Sequence, residues 1–83
     1  MGKAKIGNIV LVRWLDSSRT VDWTFQEPTL KRTPHESVGF LSHKDEQAVN
    51  VRPHRVVYSD GDEQHIGDIV IPLCAILSIE ILR

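Results

Sequence analysis

The chain has 83 residues, a formal charge of −1 from ten Lys and Arg against eleven Asp and Glu, and one cysteine. That length suits one domain spanning residues 1–83, since either half alone would bury too little apolar surface to offset chain entropy. The composition excludes a general basic field for nucleic acid or anionic membrane, an internal disulfide, and a helix of about 20 apolar residues crossing a bilayer.

The opening Met-Gly-Lys-Ala-Lys carries charge, but Asn8, Arg13 and Asp16 interrupt the apolar run behind it, so no signal peptide is expected. Ile6 stands where a myristoylation signal requires Ser or Thr. Ile6 to Leu15 reads as a long first strand, with Ile9, Leu11 and Arg13 on one face and Val10, Val12 and Trp14 on the other. Asp16-Ser17-Ser18-Arg19 is a turn, because short Asp and Ser side chains bond nearby backbone. From Thr20 to Glu36 the pattern dissolves into a long irregular loop. Pro28 and Pro34 break regular structure there, and Trp23 and Phe25 are expected to anchor the loop.

Ser37 to His43 is the second strand and Ala48 to Arg52 the third, forming a hairpin about the charged turn Lys44-Asp45-Glu46-Gln47. Arg55 to Ser59 is expected to continue the third strand beyond a bend at Pro53, until Asp60-Gly61-Asp62-Glu63 turns the chain. Ile66 to Ile71 is the fourth strand, stopping at Pro72, which cannot donate to a central ladder. Pro72 to Ala75 suits a single 3₁₀-like turn, in which Cys74 is expected to be a buried small hydrophobe. In the last strand Leu77, Ile79 and Ile81 alternate with Ser78 and Glu80, the period of a sheet with one buried face. The fold expected is therefore all-β: a small five-stranded SH3-like or Sm-like barrel with a long irregular loop after its first strand.

Three stretches carry a family resemblance. Val12-Arg13-Trp14-Leu15-Asp16-Ser17 with a second tryptophan at 23, then Ser37-Val38-Gly39-Phe40-Leu41, then Ile71-Pro72 through Ala75-Ile76 and Ile79-Glu80, resemble small uncharacterised proteins of tailed bacteriophages and prophages. The resemblance spans most of the chain and implies a phage accessory protein working in the cytoplasm of a bacterial host cell. No residue role transfers to the segment between Phe25 and Glu36, whose Pro and Lys-Arg content is its own.

The residues argue against an enzyme. His35, His43, His54 and His65 lack the paired spacing and cysteine partners of a zinc site. Asp60, Asp62 and Glu63 lack the regular offsets of a calcium loop. Ser17, Ser18 and Ser37 lie outside any nucleophile-elbow context, and no acid and base pair emerges at a defined separation. No cofactor is implied.

The set that stands out is Trp14, Asp16, Ser17, Arg19 and Trp23. Two indole faces flanking a carboxylate, a hydroxyl and a guanidinium frame a shallow pocket suited to a nucleobase or a peptide. The packing reading, which the frequency of aromatics in cores favours, is that Trp14 caps the core, Asp16 and Ser17 satisfy turn amides and Trp23 staples the loop.

Two function classes follow. One is a non-enzymatic binding module acting by occupancy, on a host protein or on a small anionic, nucleotide-like ligand. The other is a single-stranded nucleic-acid-binding barrel, which requires Arg13, Arg19, Lys31, Arg32, Arg52 and Arg55 to gather on one face near Trp23. Between Ile66 and Leu82 the chain carries more aliphatic side chains than one small barrel needs on a single face, so a homo-oligomer is expected, paired by its last two strands if it resembles Sm-like barrels; the alternative is that the chain's own loops, above all Thr20 to Glu36, cover the terminal strand.

Overall fold

The computed structural model describes residues 3–16, 23, 25, 30 and 32–83. These form seven strands: β1 (Ile9–Asp16), β2 (Thr33–Lys44), β3 (Ala48–Arg52), β4 (His54–Val57), β5 (Glu63–Ile66), β6 (Ile69–Pro72) and, after a 3₁₀ turn at Leu73–Ala75, β7 (Ile76–Ile81). Five of them make one antiparallel sheet in the order β6-β3-β2-β1-β7, and β4 and β5 pair separately as a hairpin. The chain is all-β, as expected. Among the described residues no ladder joins β6 to β7, so the sheet is open.

The core lies on one face of this sheet. Val10, Val12 and Trp14 of β1 meet Leu41, Val49, Val51 and Ile71, with Ala4 from the leading segment closing one side. The alternation expected in β1 is present, because Ile9 and Leu11 are only half-buried on the opposite face and Arg13 is exposed.

Gly39, opposite Val10 in the register, is where β2 meets β3 most tightly. A Cβ at Gly39 would lie 2.7 Å from the Arg52 carbonyl oxygen and 2.9 Å from its carbon. The glycine in Val-Gly-Phe-Leu is thus a packing requirement, because the Arg52 backbone occupies the space a side chain would need.

Several expectations need correction. β2 begins at Thr33, four residues earlier than expected, and runs through Pro34. The reason is which way its main chain points. Leu41 N–H donates to the Asn8 carbonyl at 2.8 Å, so Thr33, His35, Ser37 and Gly39 also face β1. Pro34 faces the other side, where β3 has already ended, and its missing N–H costs no ladder bond.

Arg55 to Ser59 does not prolong β3. Pro53 turns the chain off the sheet, and β4 folds back on β5 through a turn in which Tyr58 N–H donates to Asp62 at 2.8 Å. Gly61, at φ +92°, supplies the left-handed residue that this turn requires.

The expected fourth strand from Ile66 to Ile71 is split: Ile66 ends β5, Gly67 at φ +83° turns the chain, and β6 starts only at Ile69; the stop at Pro72, the 3₁₀ turn and the start of β7 at Ile76 lie where expected. Ile79 and Ile81 do share the core face, since they pair with the buried Val12 and Val10, but a register shift beside Leu77 breaks the alternation, so that Ile76 rather than Leu77 pairs with the buried Trp14. Yet Leu77 and Ile81 are exposed, because among the described residues no strand lies beyond β7 to cover them. Cys74 is exposed as well, because its short turn packs only Leu73 against the core.

Candidate functional site

The β1 and β2 register brings part of the sequence-derived pocket together. Trp14 sits opposite His35 and Asp16 opposite Thr33. The Trp14 indole is buried, its N–H donates to Ser37 Oγ at 3.0 Å, and the His35 ring stands edge-on to it with centroids 5.0 Å apart. His35 Nε2 lies 3.3 Å from Asp16 Oδ2. Trp14 and Asp16 are therefore linked through His35, and each polar group already has a protein partner.

Trp14 occupies the packing position rather than presenting an open stacking face. Ser17 and Arg19 lie outside the described residues. Trp23 and Phe25 are fully exposed, so the expectation that they anchor the loop is not met.

A second constellation, which sequence reasoning did not single out, lies on the opposite sheet face. Arg52 pairs with Phe40 across β2 and β3 and is only 9% exposed. Its Nε stands 3.1 Å from each Asp68 carboxylate oxygen, Nη2 donates to Asp68 Oδ2 at 3.0 Å, and Nη1 donates to Glu63 Oε2 at 2.6 Å. Such fork geometry is the stronger form of charge-assisted hydrogen bonding. The Arg52 hydrogen bonds hold the Asp68 carboxyl below the usual carboxylate range, and Asp68 raises the Arg52 guanidinium in turn.

The network spreads outward from there. Glu63 also approaches Arg55 Nη1 at 3.6 Å, and His65 Nδ1 is 3.1 Å from Asp68 Oδ1. The Arg55 guanidinium lies over the Phe40 ring, 3.8 Å from its centroid, in a cation–π contact.

The effect is mechanical. A lone two-stranded hairpin is marginal in water, but β4 and β5 are tied to Arg52 and Phe40 of the main sheet at both ends: Asp68 follows the root, and Glu63 pairs with Val57 beside the turn. Replacing a buried ion pair with apolar groups is often neutral, whereas removing one partner is costly, so the network specifies where the hairpin sits more than it adds net stability. Between hairpin and sheet runs an open groove of about 900 Å³, bordered by Phe40, His54, Arg55, Gln64, His65 and Ile66. Val56, Val57, Tyr58 and Ile66 expose apolar surface on the same ribbon, Ile66 being 72% exposed.

Among the described residues the cationic candidates do not gather on one face near Trp23. Arg13 is shared between Glu36 at 3.1 Å and Glu80 at 3.6 Å, while Arg52 and Arg55 are committed to the hairpin carboxylates. Arg32 is exposed, and Arg19 and Lys31 lie outside the described residues.

The one local signal for the second constellation was an arginine directly following the Val49 and Val51 alternation and preceding Pro53. Its partners lie 11 and 16 residues away, beyond the reach of local pattern. In comparison with known proteins, the chain matches no family model, no curated sequence and no solved structure, so the fold and the hairpin site rest on this chain's own residues.

Proposed function

We propose that the chain is a non-enzymatic phage accessory module that acts by occupancy in the bacterial cytoplasm, docking on a host protein through the β4 and β5 hairpin. One observation carries this reading. A short ribbon bearing exposed Val56, Val57, Tyr58 and Ile66 is pinned to the sheet by the nearly buried Arg52, through Asp68 beyond its base and Glu63 beside its turn. Apolar side chains held out on a fixed support pay little ordering entropy on binding, which suits a protein surface.

The scaffold beneath is read as an SH3-like or Sm-like barrel left open between its outer strands. The order β6-β3-β2-β1-β7 and the 3₁₀ turn joining β6 to β7 support that reading.

A small anionic ligand is favoured less. Arg55, the cation bordering the groove, already faces Glu63, so the groove offers an anion little uncompensated charge. Single-stranded nucleic acid is favoured less again, because Arg13, Arg52 and Arg55 are each matched by carboxylates.

The test compares the wild type with Val56→Thr/Ile66→Thr, which keeps β-branched strand formers and removes apolar contact. Affinity capture from a bacterial extract should recover a host protein with the wild type and lose it with the variant. Capture unchanged in the variant would refute the hairpin as the docking element. Native mass spectrometry showing a small molecule retained until unfolding would favour the ligand reading.

A further inference from the structure

We infer that the β4 and β5 hairpin is a hinged arm, pivoting where Pro53 stands across from Gly67 and latched against the main sheet by Glu63. As a regulation of the docking face this rests on the reading above, but the swing of the arm is measured on the isolated chain, so the two fail separately.

The register sets the pivot. Val51 pairs with Ile69 and His54 with Ile66, so no residue is gained or lost across the break, and Arg52 stands across from Asp68 and Pro53 across from Gly67. The ribbon is therefore the β3 and β6 pair continued, with its ladder interrupted for two residues on each strand. Pro53 has no N–H to offer there, and Gly67, at φ +83°, holds a conformation that favours glycine. Hinges are built from a few such residues between regular segments, where backbone rotation is absorbed.

Polar contacts, not apolar burial, hold the arm in place. Every residue of β4 and β5 is exposed, so no side chain of the ribbon enters the core. The register puts Arg55, Glu63 and His65 on one face of the ribbon, and Val56 and Ile66 on the other. The first three make the contacts across the pivot: Glu63 with Arg52 at 2.6 Å, Arg55 over the Phe40 ring at 3.8 Å, and His65 with Asp68 at 3.1 Å.

The two carboxylates on Arg52 have different roles. Asp68 lies on the sheet side of the pivot and accepts from both Nε and Nη2, whereas Glu63 rides on the arm and accepts from Nη1. When the arm swings out, Arg52 keeps its Asp68 fork, so no buried charge is stranded, which is what would most oppose opening. Glu63 carries Arg55 with it as a partner. Opening uncovers the Phe40 ring and a recess of about 260 Å³ that Arg55 and Glu63 border together with Leu41, Ser42 and His43. The ribbon moves as one piece, because Tyr58 N–H still donates to the Asp62 carbonyl at the turn and the Tyr58 hydroxyl to Gln64 Oε1 at 2.8 Å.

NMR on the full chain is the test. Protons above an aromatic face are shifted upfield, so the Arg55 side chain reports the closed position through Phe40. Glu63→Gln keeps the shape and an acceptor but removes the charge, and it should move the Arg55 signals more than halfway toward those of a free arginine. Raising NaCl to about 1 M, where the Debye length is about 3 Å, should move the wild-type signals the same way, a readout that holds even if the variant folds poorly. Amide exchange across the β4 and β5 ladder should stay unchanged meanwhile. Arg55 signals that stay put in high salt and in a folded Glu63→Gln variant would overturn the inference. So would ladder exchange that accelerates as the signals move, since that is melting rather than a swing.

Discussion

Gly39→Ala tests the packing of the sheet at its tightest point. Ordinary contact begins at 3.4 Å, and the new methyl would meet the Arg52 carbonyl oxygen at 2.7 Å, a deficit of 3.4 − 2.7 = 0.7 Å. The obstruction is backbone, with the Val51 side chain at 3.0 Å behind it, so relief requires β3 to move away from β2. Overpacking of this kind costs about 1–3 kcal/mol. Against that, replacing a glycine restricts the unfolded chain and returns about 0.4–1 kcal/mol. A net loss of roughly 1–2 kcal/mol is expected, which for a domain this size lowers Tm by about 5–15 °C. Urea unfolding followed by far-UV circular dichroism measures it. Because Gly39 has no positive φ, a variant as stable as the wild type, or more stable, would refute the close approach of β2 and β3.

Three further outcomes follow from the same geometry. Trp14→Ala should cost about 3–5 kcal/mol, as deletion of a buried aromatic does, whereas Trp23→Ala should change stability by less than about 0.5 kcal/mol because its side chain is fully exposed. Paired urea titrations separate the two, and equal losses would contradict the burial assigned to each. For Asp68→Asn, hydrogen exchange at the amides of β4 and β5 should accelerate more than exchange in β1, because Arg52 then loses the carboxylate that fixes the hairpin root.

The third outcome is a pH dependence. The Arg52 hydrogen bond leads the causes that depress the Asp68 carboxyl, with charge from Arg52 and His65 adding to it. The ion pair therefore stabilises the native state above the unfolded carboxyl pKa of about 4, and that contribution drains away as pH falls through the lower native value. The difference in Tm between the wild type and Asp68→Asn should accordingly be widest near neutral pH and narrow in acid. A gap independent of pH would show that the Asp68 charge is not what matters.

What could be read from the sequence was whatever depends on neighbours along the chain. The period of two in β1, the stop at Pro72 and the turn before Ile76 are local, and each lies where expected. Pro34 misled because proline excludes a central ladder position but not one facing an open side, and which side is open depends on where β3 ends. The β7 alternation gave the correct face for Ile79 and Ile81 but not the irregularity at Leu77, nor the cover, since cover depends on what lies beyond β7. Trp14 and Asp16 lie two apart on β1, but His35, which links them, comes from across the hairpin, 19 residues after Asp16 (35 − 16). The Arg52, Glu63 and Asp68 cluster was invisible for the same reason: charged residues in turn-rich sequence usually stay solvated, and only the fold of β4 and β5 over Phe40 makes them a network.

The most direct test of the proposal is whether the hairpin surface, held in place by Arg52, is what a host protein recognises. Capture from a bacterial extract with the wild type, Val56→Thr/Ile66→Thr and Arg52→Met, each first shown to be folded by circular dichroism, should recover a common host partner with the wild type alone. Loss in the threonine variant would tie binding to the exposed apolar face, and loss in Arg52→Met to its anchoring. Equal recovery of the same partner by all three proteins would contradict the account.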